Sequence, residues 1–143
     1  MNDNQPIIAV VAAIIYHDNK IFAAQRKELG VRFNKWEFPG GKIEKQETAI
    51  AALYRELEEE LNIRVHNPRL FTHIQHDYEV FMLEMDVFFV DLLPNETIVY
   101  QAHKTGGWFS LAEIQELDLL PADRKVVDQL LKSVGKRSDD GKS

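Results

Sequence analysis

Residues 41–63 read GKIEKQETAIAALYRELEEELNI, and this stretch carries most of the information about the fold. Its apolar side chains recur at steps of three and four residues, which is typical of a helix with one face turned to a core. They are Ile50, Leu53, Leu57 and Leu61. Thr48 can cap the start of such a helix, and Asn62 can end it because asparagine tolerates the left-handed conformation. The sequence therefore predicts a helix over residues 48–61.

The polar side of this predicted helix carries a cluster of carboxylates. Glu59 and Glu60 follow Glu56 by three and four residues, so the three side chains share a face. Like charges at this spacing destabilise a helix by a few tenths of a kcal/mol per pair, roughly, and a bound cation would offset that repulsion. A solvated acidic surface is the alternative for any such cluster. The Gly40-Gly41 turn can add backbone carbonyls as hard oxygen ligands, which favours a metal site.

The rest of the chain alternates between strand and helix patterns. Predicted strands cover residues 7–16, 21–25, 36–38, 69–74, 80–91 (a central strand) and 108–109, and predicted helices cover 111–117, after a Ser110 cap, and 121–131. This alternation predicts an α/β or α+β fold in which a mixed β-sheet lies between helices. We expect residues 1–135 to form one domain and residues 136–143, which are polar, to be a disordered tail.

Composition excludes several classes of protein. The chain has 143 residues, enough for one core, and no cysteine, so disulfides and thiolate metal sites are excluded. A net charge of -6 disfavours binding to a nucleic acid polymer, although a small anion can still bind through bridging metal ions. The apolar run over residues 7–16 is too short to span a bilayer, so we expect a cytoplasmic protein without a membrane partner.

The spacing of residues 41–63 resembles the Nudix box, G-x5-E-x7-R-E-U-x-E-E-x-G-U, in which U is apolar. The matching residues are Gly41, Glu47, Arg55, Glu56, Leu57, Glu59, Glu60 and Ile63. Asn62 stands where the box has its last glycine, and both residue types accept positive φ. The resemblance extends over about residues 7–131 and is strongest to MutT-type nucleoside triphosphate pyrophosphohydrolases. It implies the Nudix fold, with a mixed sheet sandwiched between α-helices.

The resemblance also implies a metal cofactor and roles for the box residues. Box glutamates bind Mg²⁺ in this family, with Mn²⁺ as a substitute, which implies that Glu56, Glu59, Glu60 and the carbonyl of Gly40 are metal ligands. Arg55 would orient a box carboxylate, with Glu47 as the favoured one. A carboxylate that is not fully engaged by metal can accept a proton from water, and either Glu56 or Glu59 is a candidate for this catalytic base.

The implied reaction is attack of water on a nucleoside triphosphate, which releases a nucleoside monophosphate and pyrophosphate. Lys42 follows the double glycine and would neutralise phosphate charge, unless it is a plain surface lysine. Ala102 departs from the family, because many members carry another catalytic glutamate at that position. The adjacent His103 is a candidate for proton transfer, with an ordinary loop histidine as the alternative.

Residues outside the box are expected to select the nucleobase. By position, Arg26 and Phe38 resemble the residues that recognise the base in this family. Arg26 would bind a base carbonyl or phosphate, and Phe38 would stack on the base. A surface salt bridge and core packing are their respective alternatives. Asp123 stands where an enzyme specific for 8-oxoguanine has asparagine; an ionised Asp only accepts hydrogen bonds and suits the amino group of cytosine, unless it merely caps a helix. The sequence thus favours (d)CTP or a modified cytidine triphosphate, in nucleotide-pool sanitising linked to DNA repair, with 8-oxo-dGTP second.

Other classes remain open. Dinucleoside polyphosphate and ADP-ribose hydrolases share the box, and Tyr78 lies near a tyrosine common in the former. A catalytically silent Nudix-fold nucleotide sensor is a different class, and an acidic helical domain without metal is another. The expected partner is a small nucleotide, and the chain is expected to be a monomer or a homodimer.

Overall fold

The computed structural model describes residues 5–27, 34–99 and 104–141, with the backbone alone described for 104 and 135–141. The strands in this part of the chain are β1 (Ile7–His17), β2 (Lys20–Arg26), β3 (Trp36–Glu37), β4 (Gly40–Lys42), β5 (Val65–Asp77), β6 (Met82–Leu92) and β7 (Lys104–Phe109). The helices are α1 (Ala49–Leu61), α2 (Leu111–Ile114) and α3 (Pro121–Gly141). None of these helices is long and apolar enough to cross a membrane.

The sheet is mixed, as predicted, and β1 is its organising strand. β1 runs parallel to β6 and antiparallel to β2 and β4, and β6 pairs antiparallel with β5. The main order is β3-β2-β1-β6-β5, so β6 lies inside the sheet and its predicted central position is confirmed. The middle of β1 pairs with β4 and its end pairs with β2, so the two glycines of β4 lie beside the middle of β1.

Alternation along β1 builds a core on each face of the sheet. Val11, Ala13 and Ile15 pack with buried residues of α1, and we call this side the α1 face. Ala12 and Ile14 point the other way and pack with buried residues of α3, on the α3 face. The sheet is therefore covered by helices on both sides, and the predicted sandwich is confirmed.

The predicted helix over residues 48–61 is confirmed, together with both caps. The Thr48 hydroxyl accepts a hydrogen bond from the Ala51 amide, and Asn62 ends α1 in the left-handed conformation at φ 53°. One part of the predicted core face is wrong, because Ile50 is 41% exposed. Ile50 lies in the first turn, ahead of the buried residues Ala52 and Leu53, and so beyond the packed part of the helix.

Several element ends differ from the prediction. β5 begins at Val65 rather than at residue 69, because register shifts relative to β6 let the strand continue past Pro68. α2 stops at Ile114, three residues short of the predicted end. α3 continues to Gly141, past the predicted end at Leu131 and through most of the segment predicted to be a disordered tail. No proline lies in that segment to interrupt a helix.

Candidate active site

The two glycines of β4 allow very close approach of neighbouring backbone and side chains. A Cβ atom at Gly40 would lie 1.9 Å from the carbonyl oxygen of Val11 on β1. A Cβ atom at Gly41 would lie 2.3 Å from Cδ of Glu56 on α1. Glycine is therefore required at Gly40, where backbone atoms block a Cβ, whereas a Cβ at Gly41 would displace the Glu56 carboxylate, which rests directly against the Gly41 backbone.

Arg55 joins the loop before α1 to the carboxylates of the helix. Its Nε and Nη2 atoms donate to the two carboxylate oxygens of Glu47, at 2.7 and 2.8 Å. Its Nη1 donates to Glu56 at 2.9 Å, and Nη2 also donates to the carbonyl of Lys42 at 2.9 Å. The pairing of Arg55 with Glu47 is the contact that the family resemblance implies.

The two carboxylates that Arg55 contacts have opposite pKa shifts. The hydrogen bond from Arg55 lowers the pKa of Glu47 to about 2, and the backbone amide of Glu44 adds to the effect. Burial raises the pKa of Glu56, against the hydrogen bond from Arg55, and the negative charges of Glu60 and Glu59 add to the rise. Glu47 is therefore a fixed anion, whereas Glu56 has an increased affinity for a proton or a cation.

The other two box glutamates lie at different depths. Glu60 directs a carboxylate oxygen to the Gly40 amide at 3.4 Å, beside Glu56. Glu59 is more open, with 60% of its side chain exposed, and contacts Arg55 at 3.3 Å. The structure thus brings Glu56 and Glu60 to the glycine turn and leaves Glu59 at the rim.

These residues fit a divalent cation by the chemistry of their donors. Carboxylate and backbone oxygens are the ligands that Mg²⁺ prefers. A cation would offset the charge repulsion and the cost of burying the charge, which together raise the pKa of Glu56. In the described ranges no three acidic or histidine side chains converge with the geometry of a bound metal. Glu59 would have to turn inward from the rim to complete such a set, so the ligand assignment stays a prediction.

Lys42 lies beside this cluster but on the other side of the sheet. It pairs with Val10, whose side chain packs on the α3 face, and neighbouring residues of a strand alternate in direction. Its side chain is exposed, while Gly41 faces α1. In the structure Lys42 is a surface lysine, and its phosphate-binding role stays a prediction.

The residues predicted to select the base form a second cluster, on the α3 side. Arg26 Nε donates to the Glu37 carboxylate at 2.5 Å, with both side chains mostly buried, so Arg26 is in a salt bridge. The Phe38 ring is 4% exposed and packs in the core beneath α3. The structure therefore shows Phe38 packed in the core, and the hypothesis that its ring stacks on a base stays a prediction.

Asp123 lies in the first turn of α3 and is 5% exposed. One of its oxygens accepts a hydrogen bond from the Phe38 amide at 2.8 Å. Burial raises the pKa of Asp123 to about 8, and the negative charge of Glu37 adds to the rise. Burial therefore favours the protonated form of Asp123 at neutral pH, in which the carboxyl can donate a hydrogen bond as well as accept one, and its role in base recognition stays a prediction.

Glu37 is a site residue that the sequence analysis misses. It interacts with two residues that are predicted to recognise the base. It accepts a hydrogen bond from Arg26, and its negative charge raises the pKa of Asp123. The available signal was a carboxylate between two aromatic residues, Trp36 and Phe38, in a short strand. The Ala102 and His103 predictions lie outside the described residues.

Comparison with known proteins identifies the family of the chain. Residues 6–130 match the NUDIX domain. The chain is 33% identical over 125 residues to the CTP pyrophosphohydrolase of Escherichia coli (strain K12), covering 87% of this chain and 92% of that one. It is 32% identical to the 8-oxo-dGTP diphosphatase of the same organism, over 84% and 92% of the two chains.

Solved structures extend the likeness to the fold. The E. coli ORF135 protein superposes with a TM-score of 0.80 at 32% identity, covering 94% of this chain and 95% of that one. The MutT NUDIX hydrolase from Burkholderia pseudomallei superposes with a TM-score of 0.77 at 26% identity, over 87% and 98%. The chain belongs to the Nudix family and is a Nudix hydrolase, which confirms the predicted family and fold.

Proposed function

We propose that this Nudix hydrolase cleaves a nucleoside triphosphate to a nucleoside monophosphate and pyrophosphate, with Mg²⁺ as cofactor and Mn²⁺ as a substitute. The observation that carries the proposal is the Glu56 carboxylate, held by Arg55 against Gly41 in a position that raises its pKa. The printed names of two relatives, a CTP pyrophosphohydrolase and an 8-oxo-dGTP diphosphatase, support a nucleotide substrate.

The side chains of the site would have two roles in hydrolysis, which are to bind the metal ions and to accept a proton from the attacking water. Bound divalent ions would neutralise phosphate charge and lower the pKa of the attacking water. Glu56 and Glu60 beside the glycine turn, with Glu59 from the rim, supply the oxygens that hold such ions. Arg55 keeps Glu47 ionised and fixes the orientation of Glu56. Glu56 and Glu59 are the two candidates for the proton acceptor, and the role falls to the carboxylate that the metal ions do not fully engage.

Pyrophosphate release tests this assignment. We expect the wild-type protein to release pyrophosphate only with Mg²⁺ or Mn²⁺, and Glu56→Gln or Glu59→Gln to lower kcat by about 100-fold or more. Glu58→Gln is the matched control, because Glu58 lies on the same helix, is exposed, and is not predicted to bind metal. If no nucleotide gives metal-dependent release, the catalytically silent sensor is favoured.

The preferred base is the finer part of the proposal. We place (d)CTP or a modified cytidine triphosphate first, and 8-oxo-dGTP second. The protonated Asp123 favours keeping the second candidate, because it can donate and accept hydrogen bonds as asparagine does. Steady-state kinetics on a panel that also includes dinucleoside polyphosphates and ADP-ribose decides between them. A higher kcat/KM for 8-oxo-dGTP than for every cytidine nucleotide would overturn the order.

A further inference from the structure

One histidine and two carboxylates form a polar group on β5 and β6, on the α1 face of the sheet. The Nδ1 atom of His73 on β5 lies 2.6 Å from a carboxylate oxygen of Asp86 on β6. The Nε2 atom of the same ring lies 3.2 Å from a carboxylate oxygen of Glu84, two residues earlier on β6. Ile74 and Met85 are buried on the α3 face, so strand alternation directs the three polar side chains to the α1 face. We call these three residues the His73 cluster.

The two contacts of His73 require a proton on each of its ring nitrogens. An ionised carboxylate only accepts hydrogen bonds, and a neutral imidazole has a single N–H to donate. A neutral His73 would therefore leave one carboxylate facing the lone pair of a ring nitrogen, whereas the imidazolium donates to both. The hydrogen bond to Asp86 raises the pKa of His73, and the one to Glu84 adds to the rise, against the effect of burial. Geometry and pKa both favour the charged form of His73.

The charged groups that face His73 come from β6. β5 packs against β6 and α3, whereas α1 packs mainly against β1 and β4. From α3, Lys125 reaches the edge of β5, where its Nζ donates to the carbonyl of Gln75 at 2.7 Å. Lys125 acts on the other histidine of the strand, because its charge adds to burial in lowering the pKa of His76. On the face of His73 itself, the Gln75 side chain donates to Glu84 at 3.0 Å.

The His73 cluster lies where β5 resumes regular pairing after an irregularity. β5 is the last strand in the order of the sheet, and its register with β6 shifts just before Thr72. His73 pairs with Asp86 directly after that shift. Farther along β5, the Tyr78 hydroxyl accepts a hydrogen bond from the Ala122 amide of α3 at 3.2 Å. A slip of one residue would turn every side chain of this segment to the opposite face, so the register here decides whether β5 meets α3 correctly.

We propose that the His73 cluster is a pH-dependent clamp, in which the imidazolium holds β5 in register with β6 and loss of its proton loosens residues 74–78. Without the cation, the carboxylates of Asp86 and Glu84 repel each other and no longer hold β5. The contribution of His73 to stability is fully present below pH 6.5, the ordinary pKa, and is lost as pH rises through the raised pKa of the fold. The clamp is independent of whether the protein cleaves a nucleotide.

NMR titration of the imidazole rings tests the charged state of His73. We expect His73 in the wild-type protein to titrate with a midpoint above 6.5, and Asp86→Asn to lower that midpoint because it removes the main hydrogen-bond acceptor. Asp118→Asn is the matched control, since Asp118 is an exposed carboxylate that pairs with Lys35, and it should leave the midpoint unchanged. A wild-type midpoint at or below 6.5, or the same midpoint in Asp86→Asn, overturns the proposal.

Hydrogen exchange tests the clamp itself with two substitutions that differ in charge. His73→Arg keeps a permanent cation that can donate to both carboxylates, and His73→Gln keeps a polar side chain without charge. The protection of the amides of residues 74–78 and of Ala122 is measured at about pH 6 and about two pH units above the wild-type midpoint. We expect the wild-type protein to match His73→Arg at the lower pH and His73→Gln at the higher pH. Relative to His73→Arg its protection should fall by about 5-fold, as suits a half-exposed ion pair.

The amides of β1 serve as the internal reference, because a change in global stability would alter their protection as well. Convergence of the wild-type protein on His73→Gln as pH rises, confined to residues 74–78 and Ala122, supports the proposal. A constant ratio between the wild-type protein and His73→Arg, or equal protection of all three proteins at both pH values, overturns it. Thermal melting checks that each variant folds. If His73→Arg does not fold, the comparison of the wild-type protein with His73→Gln decides, since their protection must converge only at the higher pH.

Discussion

Arg55 is the residue on which the geometry of the candidate site depends. One guanidinium contacts Glu47 through two hydrogen bonds, Glu56 through one and the Lys42 carbonyl through another. A planar fork of donors can satisfy several oxygens at once, which the single ammonium of lysine cannot do with the same orientation. The acceptors belong to the loop, the helix and β4, so Arg55 couples all three at the point where Glu56 meets Gly41.

The contact between Gly41 and Glu56 gives a prediction at the scale of a single atom. Gly41→Ala adds a methyl group 2.3 Å from the Glu56 carboxyl carbon, so the carboxylate must move. We expect kcat to fall by about 100-fold, because small misplacements of catalytic groups have effects of that order. Gly107→Ala is the matched control, since its Cβ would lie 3.3 Å from the edge of the Phe109 ring, which can shift. Wild-type kcat in Gly41→Ala would refute the importance of this position.

At the scale of elements, α1 works as a rigid carrier because both of its ends are capped. Thr48 satisfies an amide of the first turn, and the Asn62 amide donates back to the Glu58 carbonyl while its backbone is left-handed. Leu53, Leu57 and Leu61 hold the helix to the α1 face of the sheet. The carboxylates on its polar side are positioned by this packing and by the caps.

The C-cap of α1 can be tested with two substitutions. Asn62→Ala places a residue with a Cβ in the left-handed conformation, and we expect it to lower the unfolding free energy by about 1–2 kcal/mol. Asn62→Gly restores the residue of the Nudix box and should change stability by less than about 0.5 kcal/mol. Urea denaturation measures both. An Asn62→Ala protein as stable as wild type would contradict the role assigned to the cap.

At the scale of the whole molecule, Asp123 couples stability to pH. Its folded pKa of about 8 lies above the ordinary value of 3.8, so the folded protein holds a proton that the unfolded chain releases. The contribution of Asp123 to the unfolding free energy is fully present below pH 3.8 and is lost as pH rises from 3.8 toward 8. Glu47 acts in the other direction and at lower pH, because its pKa is lowered to about 2 and its contribution is lost as pH falls from 4.5.

We expect the unfolding free energy of the wild-type protein to fall between pH 5 and pH 8 relative to that of Asp123→Asn. Asparagine keeps an oxygen for the Phe38 amide and has no proton to lose in this range. The comparison isolates Asp123, because His73, whose pKa is raised by Asp86, changes both proteins alike. Denaturant unfolding at several pH values measures the difference. Parallel curves for the two proteins would show that Asp123 is not protonated in the fold.

The first two strands, α1 with its caps, and the spacing of the box glutamates could be predicted from the sequence. These features depend on residues that are close along the chain, where helical and strand periods determine which side chains share a face. The Glu47 and Arg55 pairing followed from the box resemblance, and the central position of β6 from its apolar run. The Ile50 prediction failed because periodicity does not tell how far along a helix the sheet extends.

By itself, then, the sequence determined the family, the carboxylate helix and the presence of a mixed sheet between helices. Only the tertiary structure decided which face Lys42 takes, that the Phe38 ring is in the core, and that Asp123 is buried beside Glu37. The reason is that burial and electrostatic environment arise from contacts between segments far apart in the chain. Asp123 accepts a hydrogen bond from the amide of Phe38, 85 residues away, and no local pattern records that contact or the burial that raises the pKa of Asp123.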